Sequence, residues 1–524
     1  MPLNETAEPG LTDGLGLPPG DSDADHRSVA KEGGWAGVFS LAGAAIRYGN
    51  NIILTRLLGA KLYGLYALAN TVVTVATVPS ALGLPTSLVH FLATSSERGE
   101  WGRLRWMVRA SFRAVFLSSL LAAGLVLALA PWLSRSVFEK DGLLLPLSGL
   151  ALALPFLALY MVCAGGLQGL RFIRGKVFIE RIAHPLVFTV LLVAGGFFFR
   201  SLEFILVCFF IAAAAVLTLG LFWLHRRMSG LPQGPMPRPV WREMLGFSTP
   251  IMFMNLLNFF ILWSDILVMG MFRPAAEVGF YAIASRLATG VSMPTDSLGA
   301  SLAPSFSSLT GRGDGEGLRR LFHTSTRWIF LLSSFAGMGL VLLGHPILGL
   351  FGSEFQKGYA ALCVLALGQV VTALFGANGT LITMTGHPRV NLVNSVILGL
   401  GNLGLNLLLV PRYGALGAAS AAAISWATVN TTRAVEIWFI LKIGPWDRTI
   451  LKPVLCLSSG GAVGGLLLWA VGGTSSGPVG PVLAGLAGLV VFALAWWALR
   501  PEPEDLDMIR RAVARVHRVP PAGA

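Results

Sequence analysis

The sequence predicts an all-α protein that crosses a membrane about fourteen times. Of its 524 residues, 54% are hydrophobic and only 12% are charged, whereas a soluble domain carries about 25% charged residues. Runs of about 20 mainly apolar residues, the length that crosses hydrocarbon as a helix, recur along most of the chain. They lack the residue-by-residue alternation of a membrane β-barrel. Composition and run length therefore exclude a water-soluble fold.

Prolines, glycines and charged residues delimit the predicted spans. We expect helices near 34–55, 64–94, 110–132, 143–168, 183–199, 203–224, 244–271, 279–308, 328–351, 359–385, 392–410, 416–441, 453–471 and 478–499. These form an N-terminal six-helix lobe (34–224), a C-terminal six-helix lobe (244–441) and helices 13 and 14 (453–499). Acidic residues among Pro, Gly and Ser make residues 1–33 a predicted disordered tail. In the tail 500–524, residues 506–519 are expected to form a basic amphipathic helix on the membrane surface.

The basic residues orient these spans. Lys and Arg accumulate on the cytoplasmic side of membrane proteins. Of the 39 basic residues, 28 lie in connections on the side of the N-terminus, 8 lie in the opposite connections and 3 lie inside predicted spans. This division predicts that both termini are cytoplasmic. It also explains the net charge of +13 without nucleic acid as a partner.

Sequence patterns typical of enzymes are missing. The four cysteines are isolated in apolar runs, without the spacing of a zinc site or a disulfide framework. The nearest approach to a P-loop, at Gly175-Lys176, has Val177 where a magnesium-binding hydroxyl is required. No Ser, His and Asp set or paired carboxylates are evident, and no connection is long enough for a soluble catalytic domain. We therefore predict no cofactor, no metal and no enzymatic activity.

An internal repeat relates the two predicted lobes. The segment Gly64-Leu65-Tyr66-Ala67-Leu68-Ala69 recurs as Gly279-Phe280-Tyr281-Ala282-Ile283-Ala284, an offset of 215 residues, and Pro79 recurs as Pro294. The copies lie on the second and eighth spans and so have the same orientation. Parallel repeats of this kind are typical of two lobes that rock about a central cavity. We expect Pro79 and Pro294 to kink their helices and to act as gates; the alternative is that proline is simply common in membrane helices.

Polar side chains within spans are the candidate substrate-binding residues, because charge is costly in a bilayer. They are Arg47, Asn50, Asn51, Asn255, Asn258, Asp265, Arg286 and Arg433. Guanidinium groups suit a pyrophosphate or an acidic sugar, and amides suit sugar hydroxyls. The structural alternative is that Arg286 pairs with Asp265 and that Arg433 pairs with Glu436. Asn402 and Asn406 are expected to form hydrogen bonds between helices.

Three segments carry a resemblance to a known family. They are residues 53–66 (ILTRLLGAKLYGLY); Asp265 with Gly279-Phe280-Tyr281; and Gly386-His387-Pro388 followed by Asn402, Asn406, Pro411, Tyr413-Gly414 and Gly417-Ala418-Ala419. Over residues 35–440 the chain resembles bacterial polysaccharide-biosynthesis flippases, the oligosaccharide-lipid exporters of the multidrug, oligosaccharide-lipid and polysaccharide superfamily. The last two helices fit this family by count alone.

This resemblance implies a flippase that moves a polyprenyl-pyrophosphate-linked oligosaccharide across the bacterial inner membrane for surface polysaccharide assembly, by alternating access. The implied partners are the lipid-linked oligosaccharide, membrane lipid, a coupling ion (H⁺ or Na⁺) and polysaccharide polymerase machinery. Two other transport functions stay open: a cation-coupled multidrug exporter, which would place carboxylates in its cavity, and a peptidoglycan-precursor (lipid II) flippase. A scaffolding membrane protein is the non-transport alternative, and the charges within the spans argue against it.

Overall fold

The computed structural model describes residues 22–196, 199, 201–232, 234–235, 240–471, 479–499, 502 and 505. Over these residues the chain is built from helices and short connections, with no β-strand. The all-α prediction is therefore confirmed. The predicted amphipathic helix at residues 506–519 lies outside the described residues.

The first half of the chain, by which we mean residues 22–229, is a series of helices joined by short turns. Its helices are α1 Ser22–Ser80, α2 Leu84–Glu97, α3 Trp101–Trp132, α4 Leu144–Gly169, α5 Ile173–Val177, α6 His184–Gly196 and α7 Leu202–Ser229. A π-helical turn at Leu133–Val137 extends α3, and another at Phe178–Ala183 joins α5 to α6. Helix α1 is broken at Gly59, whose φ of 67° lies in the left-handed region.

The second half, residues 241–441, is followed by two further helices. The helices are α8 Trp241–Phe272, α9 Ala275–Gly311, α10 Gly315–Phe351, α11 Tyr359–Ala373, α12 Asn378–Met384, α13 Pro388–Leu441, α14 Leu451–Ala470 and α15 Val479–Ala498. Helix α13 is broken at Gly414, whose φ of 56° is also left-handed. Helices α14 and α15 pack against each other and against α10.

Ten helical stretches in the described residues are long and apolar enough to cross a membrane, so the chain is a multi-pass membrane protein. Two of them, Ala42–Glu97 and Pro388–Leu441, contain 56 and 54 residues. At about 1.5 Å per residue each is more than twice as long as the hydrocarbon is thick, about 30 Å. The breaks at Gly59 and Gly414 divide each stretch into two crossings. The total of fourteen spans stays a prediction.

Several helices begin earlier than the sequence predicted. Helix α1 already starts at Ser22, within the segment predicted to be disordered, and α3 starts at Trp101 rather than near residue 110. The helical segment that leads into α6 starts at Ile173 rather than near residue 183. The early turns carry arginine and lysine and remain helical beyond the apolar part of the span, which is the part that hydropathy detects. As a result, Arg181 lies within a helix rather than in a connection.

Contacts between helix ends define two faces of the bundle. At the first, which we call the far face, the break at Gly59 lies beside the turn that precedes α11, where the Ala60 N–H donates to the Glu354 carboxylate (3.1 Å). The opposite face, which we call the tail face, holds the start of α1 and the connections before α3 and α8. There Arg103 and Glu243 form an ion pair at 2.6 Å. Successive connections therefore alternate between the two faces.

Each half packs around one of its own helices. In the first half α4 contacts α1, α2, α3 and α7, and in the second half α11 contacts α9, α10 and α13. Helix α1 also packs along α8 and α9, and this contact is the main junction between the halves. The largest buried apolar cluster crosses this junction, since it contains Leu68 and Ala69 together with Met269 and Ile283. The predicted lobe boundaries stay a prediction.

A buried ion pair fixes the start of the C-terminal tail. Arg327 of α10 is 2% exposed and Asp505 is fully buried, and their Nη2 and Oδ1 atoms are 2.6 Å apart. The indole N–H of Trp328 donates to the same oxygen (2.9 Å), and Arg327 Nη1 donates to the Thr449 hydroxyl (2.6 Å). Since an unpaired charge is costly in a low-dielectric site, each partner depends on the other.

Replacing Asp505 with alanine should destabilise the protein strongly. The substitution removes a buried carboxylate that accepts from both Arg327 and Trp328, and breaking a buried ion pair costs about 3–5 kcal/mol in comparable sites. Thermal unfolding in detergent, followed by fluorescence or by loss of monodisperse protein, measures the effect. Asp141→Ala removes the same charge at an exposed position of the far face and serves as the control. Equal melting temperatures for the two variants would contradict this account.

Candidate substrate-binding cleft

The repeated glycines bring the two halves into backbone contact near the far face. A Cβ atom on Gly64 would lie 1.7 Å from the Ala275 carbonyl oxygen, and one on Gly279 would lie 2.5 Å from the Ala60 oxygen. Real Cβ atoms are not found so close to backbone atoms, so only glycine fits at either position. The two copies of the repeat identified in the sequence therefore pack against each other, across the junction between the halves.

A polar layer lies next to this glycine contact, on its tail-face side. Arg286 of α9 donates through Nη1 to the Asn51 side-chain oxygen and to the Tyr63 hydroxyl, the latter at 2.7 Å. The Tyr63 hydroxyl also donates to Asn51 (2.8 Å), and the Tyr48 hydroxyl donates to the Arg286 carbonyl (3.0 Å). Arg286 thus joins α9 to both parts of α1. Its expected pairing with Asp265 is not formed.

Further hydrogen bonds join the two halves at the far face, beyond this polar layer. The Arg56 guanidinium donates to the carbonyl oxygens of Leu350 (2.8 Å) and Gly349 (2.9 Å) at the end of α10. Lys140, in the turn between α3 and α4, donates to the Gly270 carbonyl of α8. Burial lowers the pKa of the Lys140 ammonium group. The halves are therefore held together at the far face by hydrogen bonds as well as by packing.

The tail-face part of α9 is exposed and polar. Its exposed side includes Thr289, Asp296, Ser297, Ser301, Ser305 and Ser308, at helical spacing. Among the described residues, no hydrogen bond or ion pair joins residues 291–311 to the first half. Hydroxyls and a carboxylate at this depth would be unfavourable in lipid and indicate contact with water. The halves are joined at the tail face on the α8 side, by the Arg103–Glu243 ion pair and by the close approach of Gly83 to Ser248. We infer an opening beside these contacts, between α9 and the first half, and call it the cleft.

Arg47 lies at the closed end of the cleft. It precedes Tyr48, whose hydroxyl donates to the Arg286 carbonyl of α9. The Arg47 side chain is half-buried, and its Nη1 donates to the Arg181 carbonyl at 3.4 Å. Neither Arg47 nor Arg181 has a carboxylate within ion-pair distance among the described residues. The charges of the two guanidinium groups interact, and the Glu180 carboxylate next to Arg181 offsets part of them. The remaining positive charge suits an anion.

Other predicted site residues are already engaged by neighbouring helices. Asn50 is buried, donates to the Pro185 carbonyl (2.9 Å) and accepts from Thr189 (2.5 Å), so it joins α1 to α6. Asp265 is also buried and accepts from the Tyr281 hydroxyl (2.5 Å) and from the backbone of Ile266. In this conformation neither side chain is free to bind a ligand.

The two asparagines predicted on the seventh span, Asn255 and Asn258, lie on α8. Asn255 is half-buried on α8, and the side chain of Asn258 lies outside the described residues. Ser264, one residue before Asp265, donates to the side-chain oxygen of Asn402 in α13 (3.2 Å). This bond confirms the prediction that Asn402 joins two helices.

Arg433 borders a separate pocket on the tail-face side of the second half. The pocket has a volume of about 480 Å³ and lies between α9, α11, α12 and α13. Glu436, the alternative partner of Arg433, interacts with its charge from beyond ion-pair distance and accepts a hydrogen bond from Asn394 (2.5 Å). No carboxylate among the described residues lies within ion-pair distance of Arg433, and its Nε atom is buried without a hydrogen-bond partner.

The two predicted gating prolines lie in different backbone settings. Helix α1 ends at Ser80, one residue after Pro79, and the chain turns through left-handed φ angles at Leu82 (54°) and Gly83 (66°). The helix is therefore interrupted just after Pro79, which itself lies inside α1. Helix α9 continues through Pro294 without a non-helical residue. A gating role for either proline stays a prediction.

Sequence reasoning missed several residues that the structure adds to this region. Tyr48 and Tyr63 complete the polar layer, Arg181 joins Arg47, and Trp426 and Gln369 line the Arg433 pocket. Tyr63 was noted only as part of the family resemblance and Tyr48 was not noted at all, while Arg181 was counted among the basic residues of a connection. A helix that begins near residue 173 would have placed Arg181 on the same helix as Pro185 and Thr189, next to α1.

Comparison of the sequence with known proteins identifies relatives over most of the chain. The profile of the family described as "Polysaccharide biosynthesis protein" matches residues 53–360, more than half of the 524 residues. The "Probable low-salt glycan biosynthesis flippase Agl15" of Haloferax volcanii is 23% identical over 401 residues, which cover 75% of this chain and 80% of that protein.

Solved structures with the same fold are transporters. The structure described as "Lipid II flippase MurJ, inward closed conformation" has a TM-score of 0.68 at 12% identity and covers 88% of this chain and 97% of its own. An inward-facing multidrug resistance MATE family transporter of the MOP superfamily has a TM-score of 0.63 at 13% identity, covering 76% of this chain and 94% of its own. The similarity confirms the predicted membrane fold.

A valine at Gly64 should open the far face. Its side chain cannot occupy the space taken by the Ala275 carbonyl, so the two halves must separate there. Spin labels on the exposed far-face positions Leu62 and Leu350 measure this separation by double electron–electron resonance, and the short-distance population should decrease.

Gly124→Val provides the matched control, because nothing lies within 4 Å of a Cβ atom at this exposed glycine. It should leave the distance distribution unchanged. An unaltered distribution in Gly64→Val, with the protein still folded, would show that the glycine contact does not hold the far face closed.

Proposed function

Because this chain belongs to the polysaccharide biosynthesis protein family, as the match over residues 53–360 shows, we propose that it is a flippase for a lipid-linked oligosaccharide. The substrate is a glycan carried on polyprenyl pyrophosphate, taken from the inner leaflet and released at the outer leaflet for surface polysaccharide assembly. The protein acts without covalent chemistry and is not an enzyme. The H. volcanii relative, named as a glycan biosynthesis flippase, supports this assignment.

The observation that carries the proposal is the position of Arg47 and Arg181. We place both guanidinium groups at the closed end of the cleft, because Arg47 donates to the Arg181 carbonyl at 3.4 Å and the two charges interact. Neither side chain forms an ion pair among the residues described. A pyrophosphate offers several oxygens to such a pair, and charge-assisted hydrogen bonds to guanidinium are about twice as strong as neutral ones. The polyprenyl chain would remain in lipid between the two halves, since it gains nothing from a polar cleft.

The closure at the far face supports transport by alternating access. We place the tail face in the cytoplasm, since 28 of the 39 basic residues fall, in the predicted topology, in connections on the side of the N-terminus. In this conformation the cleft is open to the inner leaflet. Breaking the hydrogen bonds of the polar layer around Arg286, together with the glycine contact, would open the far face. The two halves would then move as the predicted lobes 34–224 and 244–441. Pro79 and Pro294 are the proposed gates.

The proposed setting is the bacterial inner membrane, with both termini cytoplasmic. A coupling ion (H⁺ or Na⁺) and the polysaccharide polymerase machinery are the proposed partners besides lipid. No residue is assigned to the ion. Among the acids in the spans, Asp265 is occupied by Tyr281, which leaves fewer free carboxylates than an ion-coupled drug exporter would use.

Alanine at Arg47 or Arg181 should reduce translocation of a lipid-linked oligosaccharide by about 10- to 100-fold. A hydrogen bond to a charged group contributes about 1.5–3 kcal/mol, and about 1.4 kcal/mol corresponds to a factor of ten. The assay uses proteoliposomes and scores protection of the glycan from an added glycosidase. Arg135→Ala removes an exposed arginine at the far face and should transport normally.

Wild-type protein that fails to move the lipid-linked oligosaccharide, but exports cationic drugs in the same vesicles, would overturn the proposed function. Normal translocation by both arginine variants, at normal protein abundance, would instead remove this pair from the substrate site.

A further inference from the structure

The pocket beside Arg433 is large enough for a ligand and is separate from the Arg47 site. Its volume of about 480 Å³ lies within the range of about 300–1,000 Å³ typical of small-molecule sites. Asp296 and Ser292 of α9 form one wall, and Asp296 also belongs to the exposed polar side of α9 that faces the cleft. A molecule in the cleft can therefore reach the pocket directly.

Many polar groups in this pocket lack a protein partner. Gln369 lies within the apolar helix α11, and the structure shows no hydrogen bond for its amide among the described residues. Arg433 Nε is buried and unpaired. Asn378 donates to the Asn430 backbone (3.3 Å), and Asn430 donates to the Trp426 backbone (2.8 Å), so both keep their side-chain oxygens as acceptors.

The charges and polar groups of the pocket select one class of ligand. A pyrophosphate would find the Arg433 guanidinium, but also the Asp296 carboxylate, and like charges repel each other. An apolar drug or a lipid chain would leave the amides and the guanidinium desolvated and unpaired, which is costly. A ligand with many hydroxyl groups can donate to the carboxylate and amide oxygens and accept from the guanidinium.

The pocket also offers an aromatic surface. Trp426 of α13 lines it and is half-buried, and no hydrogen bond from its indole N–H is present among the described residues. An indole face packs against the C–H face of a flat, hydroxylated ring, while its N–H remains available to a hydroxyl. The cavity therefore suits a sugar ring. The carboxylate, amides and guanidinium can bind its hydroxyls, and the indole can pack against its C–H face.

We propose that this pocket, between α9, α11 and α13, is a sugar subsite that binds a glycosyl unit of the head group. This inference rests on the proposed flippase function and adds to it. The Arg47 and Arg181 pair in the first half holds the pyrophosphate, which every such substrate shares. The pocket in the second half binds the sugar, which differs between substrates, and so determines which glycan the protein accepts.

Binding to purified protein in detergent tests this division with two probes. One is the lipid-linked oligosaccharide extracted from cells that produce this protein, and the other is polyprenyl pyrophosphate without a glycan. Gln369→Leu keeps the side-chain size and removes the amide, and Trp426→Leu removes the indole. Each should lower the affinity for the glycan probe about tenfold and leave the affinity for the bare pyrophosphate unchanged.

Matched variants separate the sugar subsite from the rest of the mechanism. Trp497→Leu replaces an indole on the outside of α15, where 78% of the side chain is exposed, and should bind both probes as wild type does. Arg47→Ala should weaken binding of both probes. If the Gln369 and Trp426 variants bind the glycan probe normally, or lose both probes equally, the sugar subsite is wrong. If wild-type protein binds neither probe, the flippase function itself fails.

Discussion

The backbone contact between Gly64 and Gly279 is the constraint on which the rest of the architecture depends. It places the Ala275 carbonyl where any side chain at position 64 would lie, at 1.7 Å from the Cβ site. Only with the helices this close can Arg286 reach Asn51 and Tyr63 across the junction. Because each repeat supplies one glycine and receives the other, a change in either half acts on the same contact.

Closure at one face leaves α9 in two different environments along its length. From Ala275 to Ala288 it packs against the first half and is largely buried, whereas beyond Thr289 it presents hydroxyls and a carboxylate to the cleft. This division explains why a helix of 37 residues is missing from the stretches apolar enough to span a membrane. A helix that lines water must be polar on that side, and its mean hydropathy decreases accordingly.

The fold was largely predictable from the sequence, because hydropathy and the distribution of Lys and Arg report the same alternation of spans and connections. The repeat at Gly64 and Gly279 was also visible, but its role was not, since sequence similarity between halves does not say that the copies touch. Side-chain partners were the least predictable. A pair between Arg286 and Asp265 was the structural alternative to substrate binding, yet each side chain bonds to a tyrosine instead. Such partners depend on the rotation and depth of each helix, which the sequence does not specify.

The distribution of the proposed ligand-binding groups between the halves bears on how transport could be driven. Arg47 and Arg181 belong to helical segments of the first half, and the polar pocket belongs to the second half. A substrate that holds both sites bridges the cleft, and its affinity therefore depends on the separation of the halves. A ligand shifts an equilibrium only through such a difference in affinity between the two states. A bare pyrophosphate engages one half alone, so its affinity would not depend on the separation of the halves. The glycan would therefore determine both which substrate is recognised and whether binding shifts the equilibrium between the closed and open far face.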